Sequence, residues 1–338
     1  ELVEQQHVNE TAAARVVGLV IETRPDTITP DKLRMFRQLG CTKIQIGIQS
    51  TRQEILDANK RQMSAAQIKR AFSLIRLYGF KIHSHLMVNL LGATPKADKQ
   101  DFKTFVTDPG FLPDEIKLYP CALVSGTQLV QKYREGAWQP YAKDELVDVL
   151  VQDVLATPPY VRISRMIRDI SATDILVGNK HTNLRQMVEQ ELTSEDVTSR
   201  VQEIRFREIN QQQVRAAELT LQDFVYTTAV SDEHFLQWVT ADNKIAGFCR
   251  LSLPHWDKLI AGACDVTANE LLVQPGQAMI RELHVYGQAL SLGSEGMSAQ
   301  HQGLGQKLLA KASSIAAEAG YTSLNVISSI GTRTYYRA

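Results

Sequence analysis

The first half of the chain alternates short apolar runs with amphipathic segments, a pattern typical of parallel strands joined by helices. Residues 16–21 form a near-continuous apolar run, as expected for a strand covered on both faces. Further strands are predicted at 43–48, 80–88 and 116–119, and helices at 29–39, 64–78, 98–107 and 143–156. At least four strand–helix units appear, too few to close an eight-stranded barrel. We therefore expect a partial barrel that continues upstream of Glu1.

The pattern changes beyond residue 216, where strand-like runs predominate. Strands are predicted at 219–230, 234–239, 244–253, 278–286 and 324–327, and a helix at 302–319. We divide the chain into a barrel part (1–157), an Arg-rich linker (158–210) and a second domain (211–338). The fold class is therefore α/β, a partial barrel followed by a second α/β domain. Because the chain stops directly after Arg337 with no turn or cap, we expect this domain to be incomplete at its C-terminus.

Composition and charge set limits on location and partners. Lys plus Arg and Asp plus Glu both number 37, so overall charge does not indicate a nucleic-acid binder, although local clusters still could bind phosphate. No apolar run is long enough to span a bilayer and no signal peptide is visible, which predicts a cytoplasmic protein with no membrane association. The four cysteines (41, 121, 249 and 264) are too dispersed for a metal site or a disulfide framework. We expect buried free thiols.

The linker is rich in arginine. Its predicted phosphate-binding side chains are Arg162, Arg165, Arg168, Arg185, Arg205 and Arg207. Guanidinium groups bind phosphate bidentately, so this segment is a candidate tRNA contact. The alternative is a face on which these arginines pair with nearby acids such as Glu189, Glu203 and Glu208.

A glycine-containing loop precedes the predicted helix of the second domain. It reads Gln300, His301, Gln302, Gly303, Leu304, Gly305. Glycines let the backbone approach a ligand, and free N–H groups at a helix N-terminus favour a pyrophosphate. The pattern is similar to the coenzyme A loop of GCN5-related N-acetyltransferases; the alternative is an ordinary helix-start loop. Tyr335 and Tyr336 follow the next strand, where a hydroxyl could protonate a thiolate leaving group, and the sequence does not choose between them.

Polar residues also occur along the predicted barrel strands. His83 and His85 share one strand face, as do Lys117 and Tyr119, since side chains repeat every two residues. The histidines could form a metal pair, but hydrogen-bonded barrel-interior histidines are the preferred interpretation, and no metal site is predicted. Lys117 and Tyr119 are candidates to meet substrate at the barrel mouth.

Several segments, taken in order, resemble the catalytic subunit of Elongator and its bacterial and archaeal relatives, the Elongator-type tRNA uridine acetyltransferases. These segments are 18–26, 43–50, 59–61, 117–120, 158–163, 178–185, 205–208, 282–287 and 331–336. The resemblance implies a radical S-adenosylmethionine (radical SAM) barrel followed by a GCN5-related N-acetyltransferase domain. It also implies an acyltransferase that modifies C5 of the wobble uridine of tRNA, giving a carboxymethyl-type uridine.

The implied cofactors are S-adenosylmethionine, a [4Fe–4S] cluster and acetyl-CoA, and the implied partner is the anticodon stem-loop of tRNA. In that chemistry the cluster cleaves S-adenosylmethionine, and the resulting radical abstracts hydrogen from the acetyl group. Glu22 and Gln49, at strand ends, are candidates for S-adenosylmethionine; the alternative is a turn-stabilising hydrogen bond. The acetyl-CoA candidates are Glu282, Leu283, His284, Val285, the loop 300–305 and Tyr335. The catalytic candidates are Tyr335, Tyr336, Lys117 and Tyr119.

The chain departs from the family pattern at two cysteine sites. It lacks the three closely spaced cysteines that hold the cluster, which in the family lie upstream of this segment, so we expect the full-length protein to supply them. It also has no cysteine at 199–203, so no structural zinc is expected. Two other functions remain open: a tRNA- and acetyl-CoA-binding scaffold without radical activity, and a protein lysine acetyltransferase. Homodimerisation and Elongator-like partner subunits are also open.

Overall fold

A computed structural model describes residues 1–166, 170–180, 182–210, 214–286 and 303–337. Its two main sheets have five strands each, one in each half of the chain. Helices cover both sheets, so the described residues form an α/β structure. Within these residues no helix is long and apolar enough to cross a membrane.

The first sheet is parallel, and its strands follow each other in chain order. They are β1 (Val20–Thr23), β2 (Lys43–Gln49), β3 (Lys81–Val88), β4 (Glu115–Pro120) and β6 (Arg162–Met166). A small antiparallel ladder joins β5 (Leu123–Val124) to β7 (Ile175–Val177). The helices of this part are α1 (Leu2–Thr11), α2 (Pro30–Gln38), α3 (Gln53–Ala58), α4 (Ala65–Leu77), α5 (Pro95–Thr107), α6 (Leu129–Arg134) and α7 (Lys143–Ala156). After β7 come α8 (Leu184–Glu191), α9 (Glu195–Thr198) and α10 (Ile204–Arg207).

Three of the crossover helices begin with a hydroxyl cap. The side chain of Thr29 accepts a hydrogen bond from the Lys32 N–H, and Thr94 accepts one from the Ala97 N–H. In both helices a proline occupies the first turn, where its missing N–H costs nothing. Ser64 and Gln67 cap each other reciprocally at the start of α4. These local signals place α2 and α4 where the sequence predicted them, whereas α5 begins at Pro95, three residues before its predicted start.

Two of the differences from the sequence prediction concern strands of the first sheet. The strand predicted at 16–21 begins only at Val20, because the Val16 carbonyl instead accepts a hydrogen bond from the N–H of Gly331 (2.9 Å) in the second half of the chain. The start of the predicted linker, Arg162–Met166, is a strand that pairs with β4 in the first sheet. The domain limits proposed from the sequence otherwise remain a prediction.

The second sheet is mixed. Its order is β12 (Ser323–Val326), β11 (Gln277–Val285), β10 (Ile245–Pro254), β9 (Ser231–Val239) and β8 (Thr220–Thr227). Only β11 and β12 are parallel, as the long helix α12 (Leu304–Glu318) between them requires. Leu308, Ala312 and Ile315 of α12 pack on the sheet. Two short helices complete this half, α11 (Trp256–Ile260) and α13 (Arg333–Arg337).

The two halves share a core. The largest buried apolar cluster contains Ile82 and Phe80 of the barrel half together with Phe235 and Phe248 of the second half. Beside it, the buried carboxylate of Asp114 accepts two hydrogen bonds from Arg281, at 2.7 and 2.8 Å. The starts of the parallel strands therefore lie against the second sheet.

Candidate functional site

A cleft opens where β11 and β12 separate. Their parallel pairing ends at Ile280 and Val326, whereas β11 continues to Val285. The cleft has a volume of about 740 Å³. Its walls include six of the residues singled out from the sequence: Leu283, Val285, Gly303, Gly305, Tyr335 and Tyr336. The structure thus brings the glycine loop, the end of β11 and the tyrosine pair together.

The glycines sit at the N-terminus of α12. Gly303 caps the helix with a left-handed backbone (φ 67°), which glycine adopts without strain. Leu304 is buried, so its side chain anchors the first turn in the core while the backbone faces the cleft. The N–H groups of this turn and the helix dipole favour an anionic ligand. Gln300, His301 and Gln302 lie outside the described residues.

The two tyrosines differ in position. Tyr335 lies against Gly305: a β-carbon at Gly305 would be 2.5 Å from the Tyr335 hydroxyl oxygen. Tyr336 lines the same cleft and also a second pocket beyond it, so it lies at their junction. Burial raises the pKa of both hydroxyls, and for Tyr336 the nearby Cys249 and Glu282 raise it further. Both side chains therefore remain protonated at neutral pH.

The second pocket, hereafter the interdomain pocket, has a volume of about 310 Å³ and lies between the two halves of the chain. Glu282 and His284 of β11 line one wall, and Lys43 and Lys81 at the starts of β2 and β3 line the other. Glu282 accepts hydrogen bonds from Lys81 (2.5 Å) and Arg250 (2.8 Å). Burial would raise the pKa of Glu282, but the two cations outweigh it and keep the pKa low. Burial lowers the pKa of His284, leaving a neutral imidazole at pH 7.

A polar face lines the concave side of the first sheet. Lys117 donates a hydrogen bond to Gln45 (2.7 Å), which also contacts His85 (3.1 Å). The Tyr119 ring packs edge-on against His85, with ring centroids 5.8 Å apart. His83 contacts Ser164 (2.8 Å), and burial lowers its pKa to about 3. Each of the two histidines thus makes a hydrogen bond through its Nε2. The described residues contain no group of three His, Cys, Asp or Glu side chains able to hold a metal.

The candidates for S-adenosylmethionine lie towards the carboxyl ends of the parallel strands. Glu22 is largely exposed, with its carboxylate 3.8 Å from the His85 ring. Gln49 ends β2 with a left-handed backbone (φ 70°), and its amide lies beside Gly47. The same edge holds Arg61, which donates to the Gly47 carbonyl (3.0 Å) and whose buried Nε has no hydrogen-bond partner among the described residues. Residues 59–61 belong to the segments that carry the family resemblance, but nothing in the sequence pattern predicts a role for Arg61.

The linker arginines fall into two groups. Arg165 and Arg205 are exposed, and the Arg205 guanidinium donates a hydrogen bond to the Ser164 carbonyl (2.6 Å). Three further candidates are less exposed and hydrogen-bonded to protein side chains: Arg162 to Glu208 (2.7 Å), Arg185 to Glu189 (2.7 Å), and Arg207 to Gln237 (3.0 Å) and Asn243 (3.1 Å). Arg168 lies outside the described residues.

Arg207 cannot meet phosphate in this conformation, because its side chain is 2% exposed and its guanidinium also donates to two backbone carbonyls. For Arg162 and Arg185, the acid-paired alternative describes the structure better than a free phosphate-binding face.

Family models match the first half and the linker, and named relatives match the whole length of the chain. Residues 2–104 match the family model of the Radical SAM superfamily, and residues 113–194 match that of the Radical_SAM C-terminal domain. A tRNA uridine(34) acetyltransferase of Dehalococcoides mccartyi is 38% identical over 342 residues, covering 100% of this chain and 72% of that protein. The chain belongs to this family. The resemblance drawn from the sequence segments is confirmed.

The same family includes eukaryotic and archaeal relatives. Elongator complex protein 3 of Homo sapiens is 30% identical over 97% of this chain and 59% of its own length. A solved structure of an archaeal Elp3 from Methanocaldococcus infernus, with an N-terminal deletion, superposes with a TM-score of 0.87 at 33% identity. It covers 99% of this chain, which spans 78% of the solved chain. The α/β fold class, with a radical-SAM sheet in the first half, is thereby confirmed.

Proposed function

We propose that the chain binds acetyl-CoA in the cleft and takes part in modifying the wobble uridine of tRNA at C5, giving a carboxymethyl-type uridine. The observation that carries this proposal is the joining of the glycine-capped helix, the β11 end and the tyrosine pair in one cleft. Family membership supports the same function, because a relative that is 38% identical is named for acetylation of tRNA uridine 34.

The cleft gives acetyl-CoA a direction. The pyrophosphate belongs at Gly303 and Gly305, where helix N–H groups and the helix dipole favour negative charge. The pantetheine arm then follows Leu283 and Val285 along the unpaired end of β11. This places the thioester near Tyr336, at the junction with the interdomain pocket. The Tyr336 hydroxyl is held protonated, so it can donate a proton to the departing thiolate. The Tyr335 hydroxyl lies beside Gly305 instead, away from the interdomain pocket.

The polar edge of the first sheet suits S-adenosylmethionine. The Glu22 carboxylate and the Gln49 amide offer acceptors and donors for the amino and hydroxyl groups of that cofactor, and Arg61 offers a cation with an unused buried N–H for its carboxylate. When bound, S-adenosylmethionine supplies the radical chemistry of this superfamily. The four cysteines do not fit a [4Fe–4S] cluster, since they are scattered through both halves rather than closely spaced. No step through a cluster is therefore assigned to these residues.

The exposed arginines mark the tRNA-facing surface in this proposal. Arg165 lies on β6 and Arg205 on α10, and both side chains are accessible. Salt-sensitive phosphate contacts of this kind position a nucleic acid without reading its sequence. Lys117 and Tyr119 lie on the concave barrel face, where a wobble base could approach them.

The decisive experiment follows release of CoA from labelled acetyl-CoA, with and without tRNA. We expect tRNA-dependent release that falls about 100-fold in Tyr336→Phe, the usual contribution of a general acid. Tyr335→Phe is the matched control and should change the rate constant much less. Binding of both ligands without release would favour a scaffold, and acetylated protein lysines without any effect of tRNA would favour a protein acetyltransferase.

A further inference from the structure

The cleft and the interdomain pocket are adjoining parts of one cavity system. Four residues line both: Val17, Leu283, Thr332 and Tyr336. The glycine-capped helix end belongs only to the cleft, whereas the barrel lysines belong only to the interdomain pocket. A ligand whose pyrophosphate sits at Gly303 therefore directs its opposite end towards the barrel.

Lys81 is the barrel side chain best placed to meet that end. Its ammonium contacts Glu115 (2.6 Å) and Glu282 (2.5 Å), and only 13% of the side chain is exposed. Burial would lower the pKa of Lys81, but the two carboxylates outweigh burial and raise it, so the group stays charged. An ammonium has three N–H donors, and within the part of the chain that the structure describes these contacts use two of them. One donor remains for a ligand.

The two carboxylates also fix the direction of the ammonium. Glu115 stands at the start of β4 and is itself held by Lys43 (3.1 Å), while Glu282 is held by Arg250 (2.8 Å). Because its position is fixed before the reaction, the Lys81 ammonium can stabilise developing negative charge without having to reorient. The carboxylates of Glu115 and Glu282 offset the positive charge of Lys81. The pocket therefore suits a neutral thioester better than an anionic ligand.

We infer that Lys81 of the barrel half completes the acyl site, donating a hydrogen bond to the carbonyl oxygen of an acyl-CoA thioester whose CoA part lies on the second half. The acyl site is thus built from both halves of the chain. This inference rests on the proposed acetyl-CoA site and adds to it a residue that no motif of the acetyltransferase half contains.

Lys81 and Tyr336 together can assist hydrolysis of the thioester. Water attacks the carbonyl carbon, and the carbonyl oxygen gains negative charge, which the Lys81 ammonium stabilises. The C–S bond then breaks, the sulfur leaves with its electron pair and takes a proton from the Tyr336 hydroxyl, and a proton lost by the attacking water restores the tyrosine. The products are acetic acid, which ionises, and CoA with a free thiol.

The first test compares Lys81→Met, Lys81→Arg and the control Lys311→Met, an exposed lysine of α12. We expect Lys81→Met to lower the rate constant for CoA release about 100-fold, as loss of one oxyanion donor does, with unchanged affinity for CoA itself. Lys81→Arg should recover part of the rate, and Lys311→Met should match the wild type. A wild-type rate in Lys81→Met, or equal losses of CoA affinity and rate, would overturn the inference.

The second test needs no mutation or turnover. The wild-type chain is irradiated with a short acyl-CoA that carries a diazirine on its acyl chain, and the labelled peptides are mapped. Label on β2 or β3 supports a two-part acyl site, and label confined to residues of the second half contradicts it. No labelling together with no CoA release would remove the proposed acetyl-CoA site itself, and the inference with it.

Discussion

The contact between Gly305 and Tyr335 shows how one missing side chain can keep a ligand site open. A β-carbon at Gly305 would lie 2.5 Å from the Tyr335 hydroxyl oxygen and 3.7 Å from the ring carbon that bears it. The ring therefore covers the first turn of α12 at van der Waals distance. At this position the need for glycine comes from space at the cleft, since its backbone is helical.

We predict that Gly305→Ala weakens acetyl-CoA binding about tenfold. The added methyl group must displace the Tyr335 ring into the cleft or away from the helix, and overpacking of this kind costs about 1–3 kcal/mol. Isothermal titration calorimetry with acetyl-CoA measures the change in Kd, and circular dichroism confirms that the helix is intact.

The matched control removes only the colliding atom. In a Tyr335→Phe background the nearest remaining ring atom is 3.7 Å from the added methyl group, an ordinary contact. Gly305→Ala should then cost much less than it does in the wild type, a coupling that a double-mutant cycle measures. Equal costs in both backgrounds would show that the Tyr335 hydroxyl is not the obstacle.

Helices α5 and α7 meet at a group of buried carboxyls on the outer side of the barrel. Asp98 accepts hydrogen bonds from the Asn89 N–H (2.7 Å) and the Tyr141 hydroxyl (2.8 Å). Burial raises the pKa of Asp98 to about 6, despite these bonds, and nearby Asp101 adds to the rise. Burial also raises the pKa of Asp153 on α7, with Asp98 contributing. This helix pair is therefore sensitive to pH.

We predict that the free energy of unfolding decreases as pH rises from about 4 to just above 6. Below the unfolded pKa of 3.8 the Asp98 carboxyl is protonated in both states; above it the unfolded chain loses the proton first, so the stabilising contribution disappears as pH passes through the folded pKa. The slope for one proton is at most about 1.4 kcal/mol per pH unit. Urea titrations across this range measure it.

Asp98→Asn should flatten the slope, because the amide keeps an acceptor for both hydrogen bonds but does not ionise. Asp148→Asn is the control, since it makes the same chemical change on α7 at a half-exposed carboxylate. An unchanged slope in Asp98→Asn, or an equal change in Asp148→Asn, would assign the pH dependence to other groups.

Local patterns explain which elements the sequence could predict. The capped helices α2 and α4 and the buried strands β2, β3 and β4 appear where predicted because their signals lie within a few residues. Helix α5 was predicted to start at residue 98, but Thr94 caps it and Pro95 is its first residue. Strand β6 was placed in the linker because it contains two arginines, and its two buried apolar residues, Ile163 and Met166, are three positions apart and do not alternate. The burial of Arg207 depends on Pro159 and Gln237, 48 and 30 positions away, so no local pattern could reveal it.

The candidate site was predictable only in part for the same reason. The glycine loop and tyrosine pair carry motifs, and the structure brings the described ones together. Lys81 belongs to no such motif: its place in the interdomain pocket arises because β3 starts opposite Glu282, 201 positions later. Contacts between halves of the chain require the packed molecule.

At the scale of the whole molecule, a buried group of charges joins the two halves. Arg281 donates to Asp114 across the boundary and to Glu233 in its own sheet, and all three side chains are almost completely buried. The carboxylate of Asp114 also accepts from the Ile82 N–H (2.8 Å), which fixes it to the barrel. Burial would raise the pKa of Asp114, but Arg281 and Arg250 outweigh it and hold the pKa far below its ordinary value. The buried ion pair between Arg281 and Asp114 therefore fixes the two sheets relative to each other. Removing either charge leaves the other buried without its partner.

We predict that Arg281→Met lowers the free energy of unfolding by about 3–5 kcal/mol, because it leaves two buried carboxylates without their main partner. Urea unfolding followed by tryptophan fluorescence measures this in both halves, since Trp138 reports on the barrel and Trp256 on the second domain. Arg70→Met is the matched control: its ion pair with Glu270 crosses the same boundary but is partly exposed, so its loss should cost under about 1 kcal/mol. Equal losses of unfolding free energy in the two variants would show that the buried charges do not join the halves. A shift of both tryptophan unfolding transitions to lower urea in Arg281→Met alone would show that they do.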